Sequence, residues 1–126
     1  MKKMIIAKIE KLGRMVSFVE LEKIPGARGD QHLGRSGYNC VYWMNLSHSF
    51  VRAIHELIRD GIVSVEVTYP ITYVIDGRVL NLPLWKTVRR YKSPRWLPVV
   101  LNKGPNFGLR KAALSQKVSQ AYALIR

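Results

Sequence analysis

The side chains of this chain best suited to binding chemistry are cations, and they fall in two groups. One lies on "NLSHSFVRAIHELIRDG", residues 45–61, where Arg52, Glu56 and Arg59 stand opposite an apolar stripe, with His48 and His55 on one flank and Ser49 on the other. The second is Lys86, Arg89, Arg90, Lys92 and Arg95, interleaved with Tyr91 and Trp96. A bidentate arginine contact to guanine is worth ~1–3 kcal/mol of discrimination. Rows of cations neutralise phosphates and release counterions, and rings set among them can stack on unpaired bases.

Charge is distributed in the same sense. Residues 1–85 carry 11 Lys/Arg against 8 Asp/Glu, whereas residues 86–126 carry 10 Lys/Arg and no carboxylate. A one-signed segment repels itself unless a polyanion lies against it, which makes nucleic acid the leading partner class. An acidic protein or anionic lipid offers the same charge.

The candidates for catalysis are scattered. Asp30, His32, His48, His55, Asp60, Asp76 and Cys40 include no zinc, phosphate-loop or nucleophile-elbow signature, so neither enzyme activity nor a metal or cofactor is expected, and a nuclease using Asp30 and His32 of the glycine-rich loop is the enzymatic alternative. A lone Cys40 excludes an internal disulfide and favours a reducing setting. No apolar run approaches the ~18 residues of a membrane span, and "MIIA" near the start is too short for a signal peptide. The expectation is a cytoplasmic protein with no membrane partner.

Several elements must position these groups. Ile5, Ile9 and Leu12 predict a helix over 4–12, ended by Gly13. Ser17 with Glu20 reads as a capping box, and Val16 with Leu21 as a hydrophobic staple, opening a two-turn helix stopped by Pro25-Gly26. Residues 26–39, with four glycines, read as a mobile loop in which Arg28, His32 and Arg35 could close over a phosphate backbone. "CVYWM" (40–44) predicts a strand. Ser47 then caps the helix whose stripe is Phe50, Val51, Ile54, Leu57 and Ile58, with Gly61 at its end.

"IVSVEVTY" alternates as a strand, and "ITYVIDGRVLNLPLW" reads as a hairpin about a type I′ turn at Asp76-Gly77. Residues 86–107, rich in Pro and cations, predict a wrapping arm on which Trp96, Leu97, Val99 and Val100 pack. Leu114, Val118, Ala121 and Ile125 mark a terminal helix. The division expected is residues 1–85 as one domain and 86–126 as a basic arm with that helix, packed on the domain or used for dimerisation.

The order "GRMVSFVELEKI", then "LSHSFVRAIHELIRDGIV", then a hairpin resembles the winged helix-turn-helix superfamily over residues 4–82. The resemblance implies an α+β fold of three helices plus a β-hairpin, with the third helix in the major groove and the hairpin as a wing. Carried over, the exposed face of the helix, with His48, Ser49, Arg52 and Arg59, is the reading surface, Ser49 and Arg52 in its first turns meet base edges, and Arg78 is the wing's contact. It also implies a transcriptional or phage/plasmid-type regulator of duplex DNA, and dimerisation through terminal helices. Residues 25–46 stand where the family has a short turn. An RNA or single-strand binding module, motivated by Tyr91, Trp96 and Phe107, and an adaptor docking an acidic partner are the alternatives.

Overall fold

A computed structural model describes residues 1–108; the terminal stripe from Leu114 to Ile125, and the dimerisation assigned to it, lie outside them. Within them the chain is α+β. Helix α1 (Lys2–Leu12) buries Ile5 and Ile9, and Gly13 ends it at φ 91°. Helix α3 (His48–Arg59) buries Phe50, Ala53, Ile54 and Leu57, and the Ser47 hydroxyl accepts the Phe50 N–H at its start. Both helices follow their apolar periodicity.

Helix α2 is only Phe18–Leu21, and its capping box does not form. The Ser17 hydroxyl donates to Asp76 Oδ2 at 2.6 Å, and the Phe18 N–H donates to the Tyr73 hydroxyl at 3.2 Å. Partners 55 and more residues away have taken over the local capping roles.

The glycine-rich stretch is a strand rather than a loop. β1 (Arg28–Arg35) pairs antiparallel with β2 (Cys40–Leu46), with register shifts along its length. At Gly34 a Cβ would run into the Cys40 carbonyl, and at Gly29 it would meet the Leu46–Ser47 backbone. The glycines therefore mark close backbone approach and bulging within a ladder.

The hairpin expected at 71–85 is corrected as well. β3 (Val63–Val67) forms, but the chain then enters helix α4 (Pro70–Asp76), with Pro70 in the first turn where its missing N–H costs nothing. Gly77, at φ 102°, is the left-handed C-cap of α4; its N–H and that of Arg78 both reach the Tyr73 carbonyl. Asp-Gly thus ends a helix instead of turning a hairpin. Tertiary packing decides this: Tyr73 stacks on Trp43 at 5.0 Å, meets Trp96 edge-on at 5.3 Å, and donates its hydroxyl to the Val99 carbonyl at 2.6 Å. That burial pushes the Tyr73 phenol pKa far up.

Part of the expected arm is regular. β4 (Arg95–Trp96) lies parallel to β2, and β5 (Val99–Lys103) pairs antiparallel with β3 through five residue pairs. The sheets are β1-β2-β4 and β3-β5, with Val16 bridging to Leu101 on β5. Trp96, Val99 and Leu101 join one core with Ile5, Phe18, Trp43, Phe50 and Ile54. No helix among the described residues is long and apolar enough to cross a membrane.

Candidate nucleic-acid interface

The loop between Trp85 and Arg95 is held at both ends. The Trp85 N–H donates to the Trp96 carbonyl and the Trp96 N–H to the Pro83 carbonyl, each at 2.8 Å. Between them the chain wraps around Tyr91, which is 8% exposed. Its hydroxyl accepts from the backbone N–H groups of Lys86 (3.3 Å) and Thr87 (3.2 Å) and lies 3.3 Å from the Thr87 hydroxyl. Its carbonyl accepts Asn39 Nδ2 at 2.6 Å, which ties the loop to the entry of β2.

The guanidinium carbons of Arg89 and Arg95 stand 4.5 and 4.3 Å from the centre of the Tyr91 ring. Cations over the ring are attracted by its negative face. Hydrogen bonds from Thr87, first from its side chain, together with the nearby Arg89 charge, bring the Tyr91 phenol down to about 8 against partial desolvation.

Tyr91 is therefore the pin of the loop, and the cations project from it. Lys86, Arg89, Arg90 and Lys92 are exposed; Arg95 is half-buried, with Nη1 on the Leu84 carbonyl at 3.3 Å. Among the described residues none of these five enters an ion pair. Arg89, Arg90, Tyr91, Lys92, Ser93 and Arg95 line a cleft of about 370 Å³. Across the sheet Arg35 pairs with Cys40, which pairs with Arg95, so the strand register adds a sixth cation at this end. Burial pushes the intervening Cys40 thiol pKa up, leaving it a poor nucleophile.

The α3 face differs electrically. His48, Ser49, Arg52, His55 and Arg59 are all exposed. Arg52 Nε, however, lies 3.3 Å from Glu56, which Lys2 also grips, and Arg59 holds Asp60 at 3.0 Å. Lys2, and then Arg52, keep the Glu56 carboxyl below its usual range. The i, i+4 pairing open to Arg52 in the sequence is realised, so the helix presents cations already matched by carboxylates.

Arg78 is not at the tip of a wing. It binds the carboxylate of Glu22, whose side chain is 3% exposed and which also takes Trp43 Nε1 at 3.0 Å and Arg28 at 3.4 Å. Arg78 and Arg28 thus both brace the core. Asp76 is held by Ser17, and Asp30 faces solvent beside Gln31.

The structure brings Lys86, Arg89, Arg90, Lys92 and Arg95 together and leaves the helix group elsewhere. Leu46 leads into α3, whereas Cys40 meets Arg95 at the opposite end of β2, ~20 Å away at the rise of an extended strand. Sequence reasoning missed Ser93 and the organising role of Tyr91. The packing expected of Trp96 is realised, whereas the Tyr91 ring, open to stacking on unpaired bases in the sequence, is buried as well. Comparison with known proteins finds no family model, no curated protein and no solved structure that matches this chain.

Proposed function

We propose that this is a basic DNA-binding protein that holds the phosphate backbone of a duplex with the Lys86–Arg95 loop. One observation carries the reading: five cations gathered about Tyr91 have no carboxylate partner among the described residues, while Arg52, Arg59 and Arg78 each have one. Backbone binding draws its free energy from cations free to displace counterions. Duplex is favoured over single strands because Tyr91 and Trp96, two of the three rings expected to stack on unpaired bases, are 8% and 3% exposed, and the third, Phe107, is half-buried beneath Lys103.

The winged-helix resemblance belongs to the same proposal. α1, α2 and α3 come before the antiparallel β3–β5 pair, so residues 68–98 take the place of the wing and carry the cationic loop with them. On this reading the wing is an elaborated connection rather than a tight turn. His48, Ser49 and Arg52 would add sequence preference from α3, and the role of a transcriptional or phage/plasmid-type regulator follows the resemblance.

A salt titration of binding to a labelled duplex tests it. Four phosphate contacts give a slope of about −3.6 in log K against log salt, a loss of ~150-fold between 50 and 200 mM. A slope near zero sinks the proposal. Tighter binding to single strands than to duplex, with quenching of tryptophan fluorescence, would transfer the function to single-stranded nucleic acid.

A further inference from the structure

The cationic loop does more than present a charged strip. Arg89, Arg90, Lys92 and Arg95 line one concavity together with Ser93, in a volume of about 370 Å³. That is toward the small end of ligand pockets, which run from roughly 300 to 1,000 Å³, and suits a single nucleotide-sized group. A duplex passing over the surface offers one negative charge per internal phosphate, spread along its length. A phosphate with a free end carries about −1.5 to −2 at neutral pH and extra acceptor oxygens in one place.

A buried donor in the cleft wall sharpens the match. Arg95 lines the cleft, and its Nε has no acceptor among the described residues. Unsatisfied buried donors are uncommon in folded proteins and call for acceptors nearby. A phosphate dianion is acceptor-only, whereas the cleft lining is dominated by donors. The Tyr91 hydroxyl, engaged by Lys86 and Thr87, shapes the loop without supplying a competing carboxylate.

We propose that this cleft is a phosphomonoester site, resting on the reading that the loop meets phosphate. Arg89 and Arg95, fixed against Tyr91, form its preset wall; Arg90 and Lys92 close on the ligand from the exposed side. The ligand is the terminal phosphate of a nucleic-acid strand or a free nucleoside monophosphate, which share the same chemistry.

Three short duplexes of identical sequence separate the possibilities: one with 5′-phosphates, one with 3′-phosphates and one with hydroxyl ends, titrated at fixed salt. The site predicts that a phosphorylated end binds about tenfold tighter or more than hydroxyl ends, through added charge-assisted hydrogen bonds. It also predicts that R90Q/K92Q, at exposed positions, folds normally and abolishes the difference. A nucleoside monophosphate that binds alone and displaces the phosphorylated duplex supports the same site and identifies free nucleotide as a source. Equal Kd for all three duplexes, with no displacement by nucleoside monophosphate, overturns the proposal and leaves backbone binding intact. Failure of every duplex and of the nucleoside monophosphate to bind overturns both.

Discussion

Glu22 offers a test of how this fold is held together. Its carboxylate is almost fully buried, yet both arginines that neutralise it are substantially exposed, Arg28 at 67% and Arg78 at 49%. The two halves of the network should therefore respond unequally. Removing both guanidiniums in R28A/R78A leaves a buried, uncompensated charge, for which ~3–5 kcal/mol is the usual order of loss. Half-exposed partners are screened by solvent, which places the expected value toward the low end, ~3 kcal/mol. E22Q removes the charge but keeps an acceptor for Trp43 Nε1, and the freed arginines can turn to water; ~1 kcal/mol is expected. Adding E22Q to R28A/R78A should then recover stability, because the buried charge is gone. Urea denaturation of the four proteins measures this directly. If R28A/R78A is as stable as the wild type, or the triple variant is no more stable than R28A/R78A, the network is not a charge-compensated brace and the reasoning fails.

Further outcomes follow from the two tyrosines Tyr91 and Tyr73. Tyr91 should ionise near pH 8, seen as tyrosinate absorbance missing in Y91F. Its folded pKa lies below the ordinary 10, so the stability it contributes is complete above pH 10 and lost as pH falls through 8. Phosphate binding should run the other way, weakening above pH 8 as the phenolate offsets Arg89 and Arg95; a pH-independent Kd from 7 to 9.5, on the order of that window, would contradict this. Y73F should cost ~1–3 kcal/mol, since the Val99 carbonyl and Phe18 N–H both lose their partner. A neutral result there would mean that the hydroxyl is dispensable and packing alone fixes α4.

The sequence was most legible where local chemistry and long-range packing agree. The Phe50–Leu57 stripe with its Ser47 cap, and the strand expected from Val63 to Val67, both read through to the structure, although burial fades along that strand and leaves Val67 exposed. It was least legible where distant partners override local signals. Ser17 looks like half of a capping box but serves Asp76, and Asp76-Gly77 looks like a hairpin turn but closes α4. The glycines of β1 resemble loop residues because a sequence does not reveal a carbonyl pressing on Gly34 from another strand. At the candidate site the cations at 86–95 were evident from composition. Their cleft was not, because it depends on Tyr91 folding inward, and nothing in "RRYKSPRW" distinguishes a buried ring from a stacking one. Likewise, the role of Arg78 depends on Glu22, 56 residues away.

On the proposed reading, duplex phosphate meets the Lys86–Arg95 loop rather than the carboxylate-matched cations of α3. Comparing the salt slope of duplex binding for R89Q/R90Q/K92Q and for R52Q/R59Q separates the two surfaces. The loop variant should flatten the slope by about 2.7, at 0.9 per contact, and the helix variant should leave it nearly unchanged. A flattening of about 1.8 by the helix variant, with the loop variant unaltered, would place the phosphates on α3 and contradict the account.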